Sequence, residues 1–196
     1  MHIPLLTELV AGRVATLTLL PDGSVRVDDP PQGALLAGSF NPLHVGHVGM
    51  AQAAAALSGL PVAFELAVVN ADKGSLPIAE IQRRAAQFAG QHTLVLAREA
   101  LFSAKARLYP GRAFVLGYDT AARLLDSRYY GGPDGLQQAL GVIANAGCSM
   151  LVAGRLHAGR FQTLADLTVP PQFTSLFREI PASLFRADIS STELRA

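Results

Sequence analysis

The chain has 196 residues, half of them hydrophobic, with 16 lysines and arginines against 15 aspartates and glutamates and a formal charge of +1. So apolar a composition excludes disorder over most of the chain and supplies one substantial core. The even charge balance argues against a dedicated nucleic-acid binder, and the single cysteine, Cys148, excludes a disulfide framework and a cysteine-rich zinc site, fitting a reducing, cytoplasmic setting.

Residues 4–10 predict a short helix closed by Gly12. Residues 14–19 and 24–27 flank Pro21-Asp22-Gly23, turn chemistry for a β-hairpin. Asp28-Asp29-Pro30-Pro31 then breaks the chain, so residues 1–32 are expected to form an N-terminal extension and residues 33–196 the main domain. Glu8 and Arg13 interrupt the apolar N-terminal stretch, and residues 50–57 are too few to span a bilayer, so no signal peptide or membrane helix is expected. Downstream, apolar runs alternate with helical patterns. Strands are expected at 34–37, 64–69, 93–97, 114–116, 150–153 and 177–180, and helices at 46–58, 78–88 (opened by Pro77) and 134–146. This order predicts an α/β fold: a Rossmann-like doubly wound parallel sheet with helices on both faces and a short helix/hairpin extension in front. Such folds bind ligands beyond the carboxyl ends of their strands, near the point where the winding reverses.

The densest chemistry follows the first expected strand of that sheet: Gly38-Ser39-Phe40-Asn41-Pro42-Leu43-His44-Val45-Gly46-His47. Gly38 and Ser39 allow close backbone approach, Asn41-Pro42 turns the chain, and Gly46 removes a side chain between two imidazoles. His44 and His47, three apart at a helix start, share a face. The unpaired N–H groups and positive dipole end of that helix favour an anion there. Either histidine alone reads equally well as a cap or a surface residue. The pair has metal-ligand spacing, but no Glu or Cys nearby completes a set, so no protein metal ligand is expected. At the other end of the chain, Ile189-Ser190-Ser191-Thr192-Glu193-Leu194-Arg195 offers either a simple helix cap or hydroxyls and a guanidinium suited to a polyphosphate.

GSFNPLHVGH resembles the GxFxPxHxGH motif of the nucleotidylyltransferase superfamily, and ISSTELR resembles its ISSTxxR motif, the two lying in the same order and at similar separation. Leu116-Gly117-Tyr118-Asp119-Thr120 is similar to the G-x-D segment of that superfamily. The nearest members are the nicotinamide and nicotinic acid mononucleotide adenylyltransferases. NADKGSLP and FVLGYDTAARLLDSRYYGG further resemble an adenylyltransferase-like subgroup associated with competence-damage-type proteins.

The resemblance implies nucleotidyl transfer from ATP to a phosphorylated acceptor, foremost nicotinamide or nicotinic acid mononucleotide, giving a dinucleotide and pyrophosphate by direct in-line attack. It implies His44, His47 and Arg195 as catalytic residues. Gly38, Ser39, Phe40, Gly46, Gly117, Asp119, Ser190, Ser191 and Thr192 would bind the nucleotide, and Lys73 and Arg155 the acceptor. Mg²⁺ would arrive with the triphosphate. The implied partners are ATP and a small phosphorylated molecule, with no nucleic acid and no membrane; a homo-oligomer is left open. Two alternatives stand beside this: transfer of an adenylyl or cytidylyl group to another phosphorylated acceptor, or a nucleotide-binding module with little turnover. The sequence departs from the superfamily pattern in three respects, one being that the hairpin before Asp28 is additional to the core fold. Ala196 follows Arg195 where a C-terminal helix usually continues, and no Trp is present, leaving Phe40, Phe102, Tyr118, Tyr129 or Tyr130 to stack on a ring.

Overall fold

The computed structural model describes residues 3–70, 74–157 and 160–186. In chain order its regular elements are α1 (Ile3–Val10), β1 (Thr16–Leu19), β2 (Val25–Val27), β3 (Ala34–Ala37), α2 (Val45–Ser58), β4 (Val62–Ala67), β5 (Val69–Asn70) and β6 (Gly74–Ser75). Next come α3 (Ile78–Ala85), β7 (Leu94–Ala97), α4 (Phe102–Leu108), β8 (Ala113–Gly117), α5 (Tyr118–Leu124), α6 (Pro133–Asn145), β9 (Ser149–Ala153), β10 (Arg155–His157), β11 (Arg160–Gln162) and β12 (Phe177–Ile180).

Eight strands form one sheet in the order β12-β9-β8-β3-β4-β7-β1-β2. The six from β12 to β7 pair in parallel, and β1 and β2 continue the sheet antiparallel. From β7 across to β12, the parallel strands stand third, second, first, fourth, fifth and sixth by chain order. That is the doubly wound Rossmann-like arrangement, with the winding reversing between β3 and β8.

Both faces of the sheet are apolar because alternate side chains of each strand enter opposite layers. Leu36, Phe64, Leu66, Leu94, Leu96 and Val115 pack with Leu6 and Leu9 of α1, the alanines of α2 and Ile81 of α3. Their neighbours Leu35, Val95, Phe114, Leu116, Met150 and Val152 pack with α4, α5 and α6. The strands therefore read as continuous apolar runs, as strands covered on both faces must.

The 21–23 turn forms where the sequence places it. Asp22 Oδ1 accepts from Ser24 N at 2.9 Å and from Ser24 Oγ at 2.6 Å, and Gly23 takes φ +86°, which suits glycine. The hairpin lies on the edge of the main sheet, and α1 buries Leu6 and Leu9 in the common core. Residues 3–27 thus share the packing of the rest of the chain. Asp28 fastens the end of β2, its Oδ1 accepting from Ala15 N at 2.7 Å and Thr16 N at 2.8 Å.

Two helices escaped the sequence pattern, α4 and α5. Each has seven residues, and neither N-cap residue, Leu101 or Gly117, makes a side-chain capping bond. A helix of under two turns without a capping signature leaves little periodicity to read. The expected strand at 64–69 also divides, β4 ending at Ala67 and β5 pairing instead with β6 in a separate ribbon. Among the described residues, no helix is long and apolar enough to cross a membrane.

Candidate functional site

Gly38 to His44 link β3 to α2, whose first turn carries His47, beside the point where the winding reverses. Gly38 N donates to the Glu65 carbonyl at 3.0 Å, extending the β3–β4 ladder by one bond. A side chain on Gly38 would come within 2.7 Å of the Phe40 ring, so close packing requires glycine here. Phe40 takes a left-handed φ of +46° and is completely buried. Such a backbone costs about 1–3 kcal/mol and persists only where its surroundings fix it. Here Phe64, Phe88 and His47 all meet the Phe40 ring edge-on, with centroids 5.1–5.5 Å away. Phe40 is therefore a post beneath His47, and its ring is not available to stack on a ligand.

His44 is the N-cap of α2. Its Nδ1 accepts from Gly46 N at 3.2 Å, and His47 Nδ1 accepts from His44 N at 3.3 Å, with the two ring centroids 3.8 Å apart. The helix start thus uses imidazoles where a Ser/Glu capping box would stand. Two of the backbone N–H groups that the sequence offers to an anion are taken by the rings themselves. Because both Nδ1 atoms accept, each neutral ring carries its proton on Nε2. Burial holds both imidazoles below their ordinary range, and for His47, with His44 adding to the effect, to about 4. At neutral pH the pair offers two donors without two charges.

This arrangement predicts a pH dependence. The unfolded His47 takes up a proton near its ordinary value of 6.5 and the folded one only near 4. Between those limits the unfolded state binds more protons, so His47 makes stability fall as pH falls from 6.5 towards 4. Urea midpoints measured across that window are expected to fall less steeply in His47→Gln than in the wild type. In ¹⁵N spectra at pH 7, both rings are expected in the neutral Nε2–H form.

The loop is held from α3 and the turn that follows it. Gln87 closes on both ends of Asn41-Pro42, its Nε2 donating to the Phe40 carbonyl at 2.9 Å and its Oε1 accepting from Leu43 N at 2.8 Å. Arg84 donates to the Ser39 carbonyl at 3.0 Å, and Arg83 to Asn41 Oδ1 at 2.5 Å. Glu80 receives both guanidiniums, whose hydrogen bonds, Arg83 first, keep its carboxyl down at about 2. The sequence reading assigned none of these four residues a role. Their signal was present: Glu80, Arg83, Arg84 and Gln87 follow helical spacing and mark one polar face. Gln87→Ala is expected to cost about 1 kcal/mol for each lost hydrogen bond. It should also shift the ring signals of both histidines, which lie beyond its direct contacts.

Gly38 and Ser39 also line a cavity of about 330 Å³ beyond the carboxyl ends of β3 and β4, walled by α4, α5 and the 127–130 turn. Its described lining carries three cationic side chains, Arg84, Lys105 and Arg123, and no carboxylate. On the other side of the reversal point, Asp119 in the first turn of α5 forms an ion pair with Arg155, the first residue of β10. Sequence reasoning gave these two separate tasks, on nucleotide and acceptor, and the fold brings them together. Gly117 ends β8 facing Met50 of α2, with room for a methyl group. Gly46 is buried in the first turn of α2.

Lys73, Ser190, Ser191, Thr192 and Arg195 lie outside the described residues. Phe185 packs against α2, and a side chain on Gly49, two residues after His47, would come within 3.0 Å of its ring. Among the described residues, no three His, Cys, Asp or Glu side chains come together as a metal site would require.

No protein-family model and no curated protein matches the chain. Its functional reading therefore rests on its own residues.

Proposed function

We propose that the chain transfers a nucleotidyl group from ATP to the phosphate of a small acceptor, a pyridine mononucleotide foremost, releasing pyrophosphate. The observation that carries this reading is the orientation of His44 and His47. Both Nδ1 atoms accept from the backbone, so each neutral ring carries its proton on Nε2 at the amino end of α2, and Gly38 and Ser39 of the loop before it line a cavity whose described lining has three cationic side chains and no carboxylate.

The rings serve as donors to the phosphate oxygens. An oxygen of the acceptor's phosphate attacks the α-phosphorus, a new P–O bond forms, and the α–β bridge breaks with its electron pair leaving on pyrophosphate. No side chain needs to become covalently attached, so catalysis consists of positioning and of donors aimed at developing charge. Mg²⁺ enters as part of the triphosphate substrate, held by phosphates and water. Asp119 and Arg155 supply an acceptor and a donor set at the end of β8 for a ribose or phosphate. Ser190, Ser191 and Arg195 complete the reading as the clamp on the departing pyrophosphate, and Lys73 as a cation for the acceptor's phosphate. The lack of Trp and the burial of Phe40 leave Phe102, Tyr129 and Tyr130, which line the cavity, as rings to stack on the acceptor.

The test is a pyrophosphate-release screen of ATP and CTP against phosphorylated acceptors: nicotinamide and nicotinic acid mononucleotides, phosphopantetheine, flavin mononucleotide and phosphocholine. Release with ATP and a pyridine mononucleotide supports the reading. ATP binding without release from any pair replaces it with a nucleotide-binding module.

A further inference from the structure

The floor of the cavity holds a charged pair that the transfer chemistry does not require. Lys105 of α4 is 3% exposed and Glu65 of β4 is fully buried, and the ammonium donates to Glu65 Oε2. Lys105 lines the cavity and Glu65 does not, so the pair presents its donor end to a ligand and keeps its carboxylate behind. The Phe102 ring lies 5.3 Å from Nζ. Of three ammonium protons, the bond to Glu65 uses one, and among the described residues no second acceptor takes another.

Resting on the transfer reading above, we propose that this pair sets acceptor specificity: Lys105 donates to an uncharged carbonyl or amide oxygen on the acceptor's ring, and Glu65 disfavours a carboxylate there. The reasoning is electrostatic. A lone buried ammonium would favour the carboxylate, because opposite charges attract most strongly where water is excluded. Glu65 cancels that charge and leaves the hydrogen-bond donors in place. A carboxylate entering beside Lys105 would put a second anion near Glu65, a like-charge placement that recognition sites use to reject the wrong partner. An amide oxygen takes the same donor without that repulsion. Nothing in the sequence motifs of the phosphate loop speaks to this choice, which is made on the opposite wall of the cavity.

The experiment compares two pyridine mononucleotides that differ only in carboxamide against carboxylate. Equilibrium binding and ATP-dependent pyrophosphate release are measured for the wild type and for Glu65→Gln, with circular dichroism confirming the fold. The wild type is expected to favour the carboxamide at least about tenfold in both measurements. Glu65→Gln keeps an acceptor for Lys105 but removes its counter-charge, and should erase or invert that ratio. A wild type that favours the carboxylate, or an unchanged ratio in a folded Glu65→Gln, overturns the proposal. Should Glu65→Gln not fold, the wild-type ratio decides alone. Pyrophosphate release with other phosphorylated acceptors, with neither pyridine mononucleotide bound, overturns the floor assignment and leaves transfer standing. Carboxamide-selective binding with no release from any acceptor supports the floor assignment and overturns transfer.

Discussion

His47→Ala is expected to lower kcat by about 10²–10³-fold, the scale for removing one preorganised donor from a charge-stabilising site. The ring does three things that alanine cannot. It carries an Nε2–H donor, it accepts from His44 N through Nδ1 at 3.3 Å, and it rests edge-on against Phe40 at 5.1 Å. The last two are structural, and losing the cap alone costs about 1 kcal/mol of stability. His47→Asn separates the roles, since its amide oxygen can still accept from the helix start while the ring donor is gone. Thermal unfolding of His47→Asn is expected between those of His47→Ala and the wild type, since the cap is kept and the ring contact with Phe40 is lost, with kcat still as strongly reduced as in His47→Ala. Wild-type turnover in either variant would remove His47 from the mechanism. The double variant His44→Ala/His47→Ala should lose far less than the product of the two single losses. With centroids 3.8 Å apart and each ring helping to fix the helix start, the two act as one unit.

The fold was legible because its strands are short apolar runs separated by turn chemistry that depends on particular residues. Pro21-Asp22-Gly23, the 28–31 break and the glycines after strands punctuate the chain regardless of tertiary context. What escaped was decided by packing. FSAKARL has no cap to announce a helix, and α4 forms because Phe102 and Ala106 find the face of the sheet made by Val95, Ala97 and Phe114. At the site, the residue types from Gly38 to His47 could be read directly, but which nitrogen of each histidine accepts from the backbone could not, since that follows from the cap geometry of α2. Phe40 illustrates the limit. The lack of Trp made its ring one of five candidates to stack on a ligand, whereas its positive φ and three aromatic neighbours make that ring part of the core. Glu65 left a faint trace, one acid inside the apolar strand VAFELA, which a buried strand tolerates only with a partner. Nothing in the sequence said that the partner would be Lys105, forty residues on.

Removing that partner is expected to be the most damaging single change to stability. Lys105→Met leaves the Glu65 carboxyl without its cation at a position with no exposure, and breaking a buried pair in this way costs about 3–5 kcal/mol. Domains of this kind are stable by only about 5–15 kcal/mol, so the variant should show a large drop in urea midpoint. Glu65 is already poorly served in the native protein. Among the described residues its Oε1 has no hydrogen-bond partner, the nearby Tyr109 hydroxyl has none either, and burial pushes both acids up. The double replacement Glu65→Leu/Lys105→Met removes both charges and fills the space with apolar atoms. It is expected to recover most of the loss and can exceed the wild type by about 1–4 kcal/mol. Urea unfolding of the wild type, the two single variants and the double variant gives the coupling energy directly. A small coupling would show that solvent reaches the pair and screens it. A large coupling, with a double variant as stable as the wild type, would mean that the fold does not need the pair. Its presence on the cavity wall would then be explained by ligand selection alone, and the stable double variant should no longer distinguish carboxamide from carboxylate.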